Sequence, residues 1–479
     1  MDHSPLSQAK IVATMGPATT TEEILLQLFK AGVDVCRINL SHGTHKEHTQ
    51  IIEKIRRLSF ENGYQIAILC DLQGPKLRVG EMLNNGVLLE NGQKFTFVSC
   101  PCVGDSTQAY MSYVDFPKTV KIGDLVLIDD GKLRLKVTQT NGVDKVETLV
   151  ENGGILSSKK GVNLPNTRVN LPSLTDKDIE DAKFALAMDV DWLGLSFVRN
   201  ESDVIELKEF VAEQGKRDTT RILAKIEKPE ALDCLSAIID ASDGIMVARG
   251  DLGVEVSFEM VPIIQKKIIR ECVAKARPVI VATQMLESMI SNFVPTRAEA
   301  NDVANAILDG ADAVMLSGET SMGNFPVESV QAMQSIIKWT ENNGHRFKPK
   351  QKPQAEDEFF LSDTICYTAT KMADQTKATV IVIFTDLRKP VMKLASFRPF
   401  TKIIVFTTNA SLHRSLALAW GVEVFLMPIV ERTSEAVAYA NQILISHKII
   451  EVNDTAVYVG HIPYRKQDAF NMVRVEVVK

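Results

Sequence analysis

The chain lacks most of the features that place a protein quickly. Among its 479 residues no uninterrupted apolar run approaches the length of a membrane span, and the opening MDHSPLSQAK has no apolar secretory core. Its seven cysteines include no CxxC pair, and Cys100-Pro-Cys102 is too tightly spaced for a usual zinc site. No disulfide framework is visible, so reduced thiols and a cytoplasmic location are expected. Positive charge is not in excess either: the formal net charge is −6, which argues against coating a nucleic acid. Neither a nucleic-acid nor a membrane partner is expected. Absent too are the motifs G-x-x-x-x-G-K-S/T, G-x-G-x-x-G and H-E-x-x-H. Any phosphate or metal site must therefore be assembled from residues scattered along the chain.

What is present is a rhythm. Short apolar runs rich in Val and Ile recur, each followed by a polar turn and a helical pattern. They are KIVATMGP from Lys10, VDVCRINLSHG from Val33, IAILCDLQGPK from Ile66, VDWLGLSFVR from Val190, RILAKIEKP from Arg221, GIMVARGDLG from Gly244, PVIVATQML from Pro278 and AVMLSGET from Ala313. Continuously apolar strands alternating with helices predict parallel strands covered on both faces. Eight such units predict a closed (β/α)8 TIM barrel; an open doubly wound sheet is the alternative, because periodicity does not show closure. Thr19-x-x-Glu22 and Thr175-x-x-Asp178 read as helix caps.

The rhythm breaks after the third strand. From about Pro75 to Pro172 short alternating strands and Asn-Gly or Asp-Gly turns replace the helices, predicting a small inserted all-β lid domain. A polar stretch, 342–358, reads as a linker, and beyond it TVIVIFT, KIIVFTT, VEVFLMP, AVYVGH and VRVEVV predict a C-terminal open-sheet α/β domain. The expected division is residues 1–74 and 173–343 as barrel, 75–172 as an inserted β-barrel lid, and 344–479 as the C-terminal domain.

In a barrel of this kind chemistry collects just past the strand ends. Those positions hold Arg37, Asn39 and Ser41 after strand two, and Asp71, Lys76 and Arg78 after strand three. Lys225 and Glu227 end strand five, and Arg249, Gly250 and Asp251 follow strand six. Thr283 and Gln284 end strand seven, Ser317 and Glu319 strand eight. Taken singly, each reads more readily as a rim salt bridge. Together they describe a site for an anionic, metal-bound ligand. Glu227 and Asp251, with no histidine or cysteine near them, favour a hard ion such as magnesium. Lys225 lies two residues before Glu227, so both share one strand face, and an ammonium there suits an oxyanion or a moving phosphoryl group. A Schiff-base lysine is the rival role. Ser158-Lys-Lys-Gly offers two lysines where the insert returns to the barrel, a weak signal alone.

KIVATMGPAT, CRINLSHGTH, SKKGVNLP, AKIEKPEAL, GIMVARGDLG, VATQMLESMI and MLSGETSMGNFPVE together resemble the pyruvate kinases. The resemblance implies transfer of the phosphoryl group of phosphoenolpyruvate to ADP, giving pyruvate and ATP, in a homotetramer. It implies magnesium or manganese on Glu227 and Asp251 and substrate held by Arg37, Lys225, Gly250, Asp251 and Thr283. It further implies that Thr283 relays the proton and that Asn39, Ser41, His42, Arg78 and Lys160 contact the nucleotide. Relatives place potassium at positions matching Asn39, Ser41, Asp71 and Leu72. Here Leu72, Gln73, Lys76 and Val79 follow the potassium-independent pattern, so Lys76 is expected to supply that charge close to Asp71, and potassium is not expected to be required. In the C-terminal domain TDLRKPVMKLASFRP lacks the small hydroxyl cluster of sugar-phosphate-activated members, which makes fructose 1,6-bisphosphate activation doubtful. Arg388 and Lys389 read there as a charged turn or as a site for another phosphate. Two rival readings share the constellation: a metal-dependent pyruvate or phosphoenolpyruvate lyase needing no ADP, and a catalytically silent scaffold.

Overall fold

The computed structural model describes residues 7–479 except 166, 168, 170, 345–351 and 462–469. Part of the linker expected over 342–358 therefore lies outside the described residues. Eight parallel strands close into a barrel: β1 (Lys10–Thr14), β2 (Val35–Asn39), β3 (Ala67–Asp71), β4 (Trp192–Leu195), β5 (Arg221–Ile226), β6 (Gly244–Ala248), β7 (Val279–Ala282) and β8 (Ala313–Leu316). β1 pairs with both β2 and β8, which excludes the open sheet. Nearly every strand residue is buried, because helices cover the outside and side chains fill the inside. Thr175 caps helix Asp176–Ala187 with Asp178, as its spacing predicts. Thr19 does not cap the first helix. Its hydroxyl is occupied by the Gly16 amide at 3.0 Å, and Thr21 caps helix Glu22–Ala31 instead.

Between β3 and β4 the insert forms a six-stranded sheet and a separate two-stranded pair, not one regular closed barrel. The six-stranded sheet has its free edges at Gln108–Tyr110 and Val162–Asn163. Residues 77–80 run between them: Arg78 bridges to Gly161 and Val79 to Met111. Closure therefore rests on a segment too short to count as a strand. Beyond the barrel lies an open sheet of β9 (Val380–Phe384), β10 (Lys402–Thr407), β11 (Val422–Leu426), β12 (Thr455–Gly460) and β13 (Met472–Val477), ordered β11-β10-β9-β12-β13. Only β13 is antiparallel to its neighbour. Among the described residues no helix is long and apolar enough to cross a membrane.

The barrel interior does not close on itself. Ala417 and Leu418, from the connection between β10 and β11, pack into the cluster of Val12, Val35, Leu69, Trp192, Leu223, Met246 and Ile280. Trp192 at the start of β4 donates to the Ser415 carbonyl at 3.3 Å, and Arg414 pairs with the buried Asp191 at 2.9 Å. The C-terminal unit thus supplies the floor of the barrel. Leu418→Ala should lower unfolding stability by about 2–5 kcal/mol, the cost of an unfilled core cavity. A shift in the denaturant midpoint worth under about 1 kcal/mol would show that the plug carries no weight.

Candidate active site

The C-terminal mouth of the barrel holds a dense set of charges, and Asp71 is its centre. It is the last residue of β3 and is buried. Arg37, from β2, donates to Asp71 Oδ2 through Nε at 2.9 Å and also to Thr14 Oγ1 at 3.1 Å. Lys225 Nζ lies 3.3 Å from Asp71 Oδ1 on the other side. Burial by itself would raise the Asp71 carboxyl, but Lys225 and Arg37 outweigh it and hold it below the ordinary carboxylate value. Space for the carboxylate comes from β4: a Cβ on Gly194 would stand 2.9 Å from Asp71 Oδ1.

Lys225 and Glu227 share a face of β5, as their spacing predicts, with Nζ 2.9 Å from Glu227 Oε1. Nζ also donates to Ser196 Oγ at 2.7 Å. Burial would drive the ammonium toward neutrality, yet Asp71 and Glu227 together keep it charged well above its ordinary value. Glu227 is buried, and its pKa is raised by that burial, with Lys225 pulling it back and the Asp251 charge adding to the rise. Its Oε2 accepts from the Phe197 amide at 2.7 Å. Phe197 takes a left-handed backbone, φ 56°, which turns that amide into the mouth.

Ser196 and Phe197 lie just past β4, the one neighbouring strand end from which the sequence suggested no group. A short polar residue followed by an aromatic carries no catalytic signature. Only the fold places Ser196 Oγ between Lys225 and the Leu72 carbonyl, to which it donates at 2.8 Å.

Next to β5, helix Arg249–Glu255 follows β6 directly. The Gly250 amide donates to Thr283 Oγ1 at 2.7 Å, and that hydroxyl donates to the Ala282 carbonyl at 2.6 Å. Thr283 and Gln284 both sit at positive φ, 69° and 53°, an unfavourable backbone for a β-branched residue. Arg249 holds it in place, donating to the carbonyls of Thr283 at 2.7 Å and Gln284 at 3.0 Å while paired with Asp302 at 2.7 Å. Arg249 is therefore a backbone clamp, and Asp302 is a supporting residue that strand-end reasoning does not reach. Ser317 and Glu319 also serve the backbone: the buried Glu319 accepts from the amides of Ser317 at 2.7 Å and Leu286 at 3.1 Å.

Lys76 does not sit with Asp71. Its Nζ is 3.9 Å from Asp251 Oδ1, because Arg37 and Lys225 already neutralise Asp71 from both sides. The Lys76 stem passes over the insert at Gly161, where an added Cβ would meet Cε at 3.0 Å. Arg78 donates to the Lys159 carbonyl at 3.0 Å, and Lys160 pairs with Asp129 at 2.8 Å, so both lie on the insert. Asn163, also on the insert, reaches the barrel: it donates at 2.8 Å to Glu255, which pairs with Lys228 at 2.6 Å. Beside β2, Asn39 Oδ1 accepts the Ser41 amide at 3.1 Å, and His42 is exposed.

Among the described residues no group of three or more His, Cys, Asp and Glu side chains is arranged for a metal ion. Two carboxylates remain, Glu227 and Asp251, close enough for the charge of one to raise the pKa of the other. That donor set fits magnesium, which typically takes one or two protein carboxylates and completes its shell with water and substrate oxygens. It does not fit zinc, which would want histidine or thiolate.

Comparison with known proteins agrees with this layout. Residues 6–330 match the family model described as pyruvate kinase, barrel domain, and residues 363–476 the one described as pyruvate kinase, alpha/beta domain. The pyruvate kinase of Methylorubrum extorquens is 41% identical over 98% of this chain and 97% of its own. That of Corynebacterium glutamicum is 40% identical over 98% of each. A crystal structure of a pyruvate kinase from Cryptosporidium parvum superposes with TM-score 0.92 at 32% identity, covering 100% of this chain and 99% of its own. By sequence over nearly its whole length and by fold, the chain belongs to the pyruvate kinase family.

Proposed function

We propose how these residues divide the family's glycolytic reaction, in which phosphoenolpyruvate passes its phosphoryl group to ADP and leaves pyruvate and ATP. The observation that carries the reading is the buried Lys225 ammonium, held charged by Asp71 and Glu227 at the barrel mouth. A fixed cation there stabilises negative charge as it spreads over the transferring phosphoryl group. Arg37, oriented by Asp71 and Thr14, binds that phosphate. Gly250 and Thr283 face the three-carbon end of the substrate. Thr283 passes the proton to the enolate carbon, and since a threonine hydroxyl is a weak acid, water behind it supplies the proton.

Family members generally need a divalent metal, and Glu227 and Asp251 would hold magnesium or manganese here. When bound, such an ion supplies Lewis-acid stabilisation to the enolate and carboxylate oxygens. Arg78 and Lys160 bind the nucleotide phosphates, helped by Asn39, Ser41 and His42. The insert, residues 75–172 in this reading, acts as a lid on the barrel of 1–74 and 173–343. Its closure keeps water from the phosphoryl group. A homotetramer in the cytoplasm completes the proposal; the exposed Phe258, Met260 and Ile263 are apolar surface that a subunit contact could cover.

Three of the four positions that hold potassium in relatives have their oxygens engaged internally. The Leu72 carbonyl accepts from Ser196, Asn39 from the Ser41 amide, and Asp71 from Arg37. This supports a potassium-independent enzyme in which Lys76 brings its charge to Asp251 and the phosphates. The test is pyruvate formation from phosphoenolpyruvate, ADP and magnesium, with tetramethylammonium as the only monovalent cation and then with potassium chloride added. Full activity without potassium is expected, and Lys76→Met should lose roughly 100-fold under those conditions. Activity only with potassium would remove Lys76 from this role.

A further inference from the structure

Below the barrel, at the strand ends opposite Lys225, four cations surround one carboxylate. Arg221 opens β5, Arg277 precedes β7 by two residues, Lys208 lies on helix Glu201–Glu213, and Arg388 begins helix Arg388–Ser396 of the C-terminal unit. Asp243 stands at their centre, just before β6. Lys208 Nζ is 3.4 Å from its Oδ1, and the Ile222 amide occupies its Oδ2 at 2.9 Å. Arg388 donates to the Asp243 backbone carbonyl at 2.9 Å and packs over Trp192, its Cζ 5.2 Å from the ring centre.

Among the described residues these arginines have no acidic partner of their own. Arg221 donates to the Asp218 carbonyl at 2.8 Å and Arg277 to the Asp240 carbonyl at 3.1 Å. In Arg221, Arg277 and Arg388 alike, Nε is buried with no hydrogen-bond partner among the described residues. Burial pushes Arg388 down to about 10, with Asp243 opposing and the repulsion of Arg221 and Arg277 adding to the fall. One carboxylate against four cations leaves positive charge in excess at this partly buried seam, and a guanidinium's fork of donors matches an oxyanion better than a carbonyl. Lys389 takes no part: it reaches out to Glu358 and over the Phe359 ring.

We infer that this seam between the barrel and the C-terminal unit is an anion site for a phosphoryl dianion, bound by Arg221, Arg277, Arg388 and Lys208. The catalytic mouth uses none of these residues. Because Arg388 comes from one unit and the other three from the barrel, an anion there ties the two together and stabilises the whole chain.

The test is thermal unfolding of the full chain in sodium phosphate against sodium chloride of equal ionic strength, with glycerol 2-phosphate as a second arm. Phosphate should raise the midpoint by at least about 2 °C at saturating excess. A response to glycerol 2-phosphate as well would extend the site to phosphate esters; a response to phosphate alone would restrict it to the free ion. Arg277→Ala and Arg221→Ala should bind phosphate roughly ten-fold or more weakly while keeping kcat. Each removes one guanidinium that bonds only a carbonyl, so folding is preserved even where Arg388→Gln is lost. No shift in the parent chain would overturn the inference. So would an undiminished shift in both variants, which would place the phosphate at the catalytic mouth.

Discussion

Lys225→Met should reduce kcat by about 1,000-fold or more with little change in KM for phosphoenolpyruvate. The ammonium is fixed in advance by Asp71, Glu227 and Ser196, so its field acts where negative charge develops and needs no reorganisation. Methionine keeps roughly the volume and loses the charge together with the hydrogen bond to Ser196. The same substitution leaves two buried carboxylates facing each other without their shared cation, a loss of about 3–5 kcal/mol of stability. Magnesium should restore much of that stability, because a cation held by Glu227 replaces part of the missing charge. The measurements are steady-state pyruvate formation and thermal unfolding with and without magnesium. A kcat within ten-fold of the parent enzyme would remove Lys225 from the chemistry, and an unchanged midpoint would contradict the charge balance of the mouth.

Glu227→Gln should weaken the apparent magnesium affinity by roughly 100-fold and lower kcat by a similar factor. Glutamine still accepts the Phe197 amide, so the turn after β4 is preserved and the loss reports the carboxylate charge. It also removes one of the two anions that keep Lys225 charged. Combining it with Lys225→Met makes the interaction measurable: the double variant should be more stable than Lys225→Met alone, since no buried anion is left unpaired at residue 227. Strict additivity of the two stability losses would mean that the 2.9 Å contact carries no energy. Unchanged magnesium dependence would take the metal away from Glu227.

Much of this was legible in one dimension because the physics is local. Val- and Ile-rich runs at regular intervals become parallel strands wherever both faces are covered. The residues just past such strands face the mouth in any barrel, which is why Arg37, Asp71, Lys225, Glu227, Gly250, Asp251 and Thr283 could be singled out. The Lys225–Glu227 contact follows from the two-residue period of a strand. Thr175 declared its helix by the same short-range logic, and Thr19 failed it because a nearer partner, Gly16, took its hydroxyl.

Other features depend on partners far apart in the chain. Ser196 acquires meaning only because Lys225 and Leu72 arrive on either side of it, and Asp302 only because Arg249 reaches across the rim. The resemblance to the potassium-independent pattern puts the Lys76 charge close to Asp71. In the closed barrel Arg37 and Lys225 flank Asp71, and Lys76 stands at Asp251 instead. The floor of the barrel, supplied by Ala417 and Leu418, and the cations beneath it join units separated by more than 100 residues. By itself the sequence determined the strands, their order, the groups carried to the mouth and the family to which the chain belongs. Tertiary structure alone decided which charges neutralise each other, because ion pairing depends on distance in space, and the closing of the barrel sets that distance.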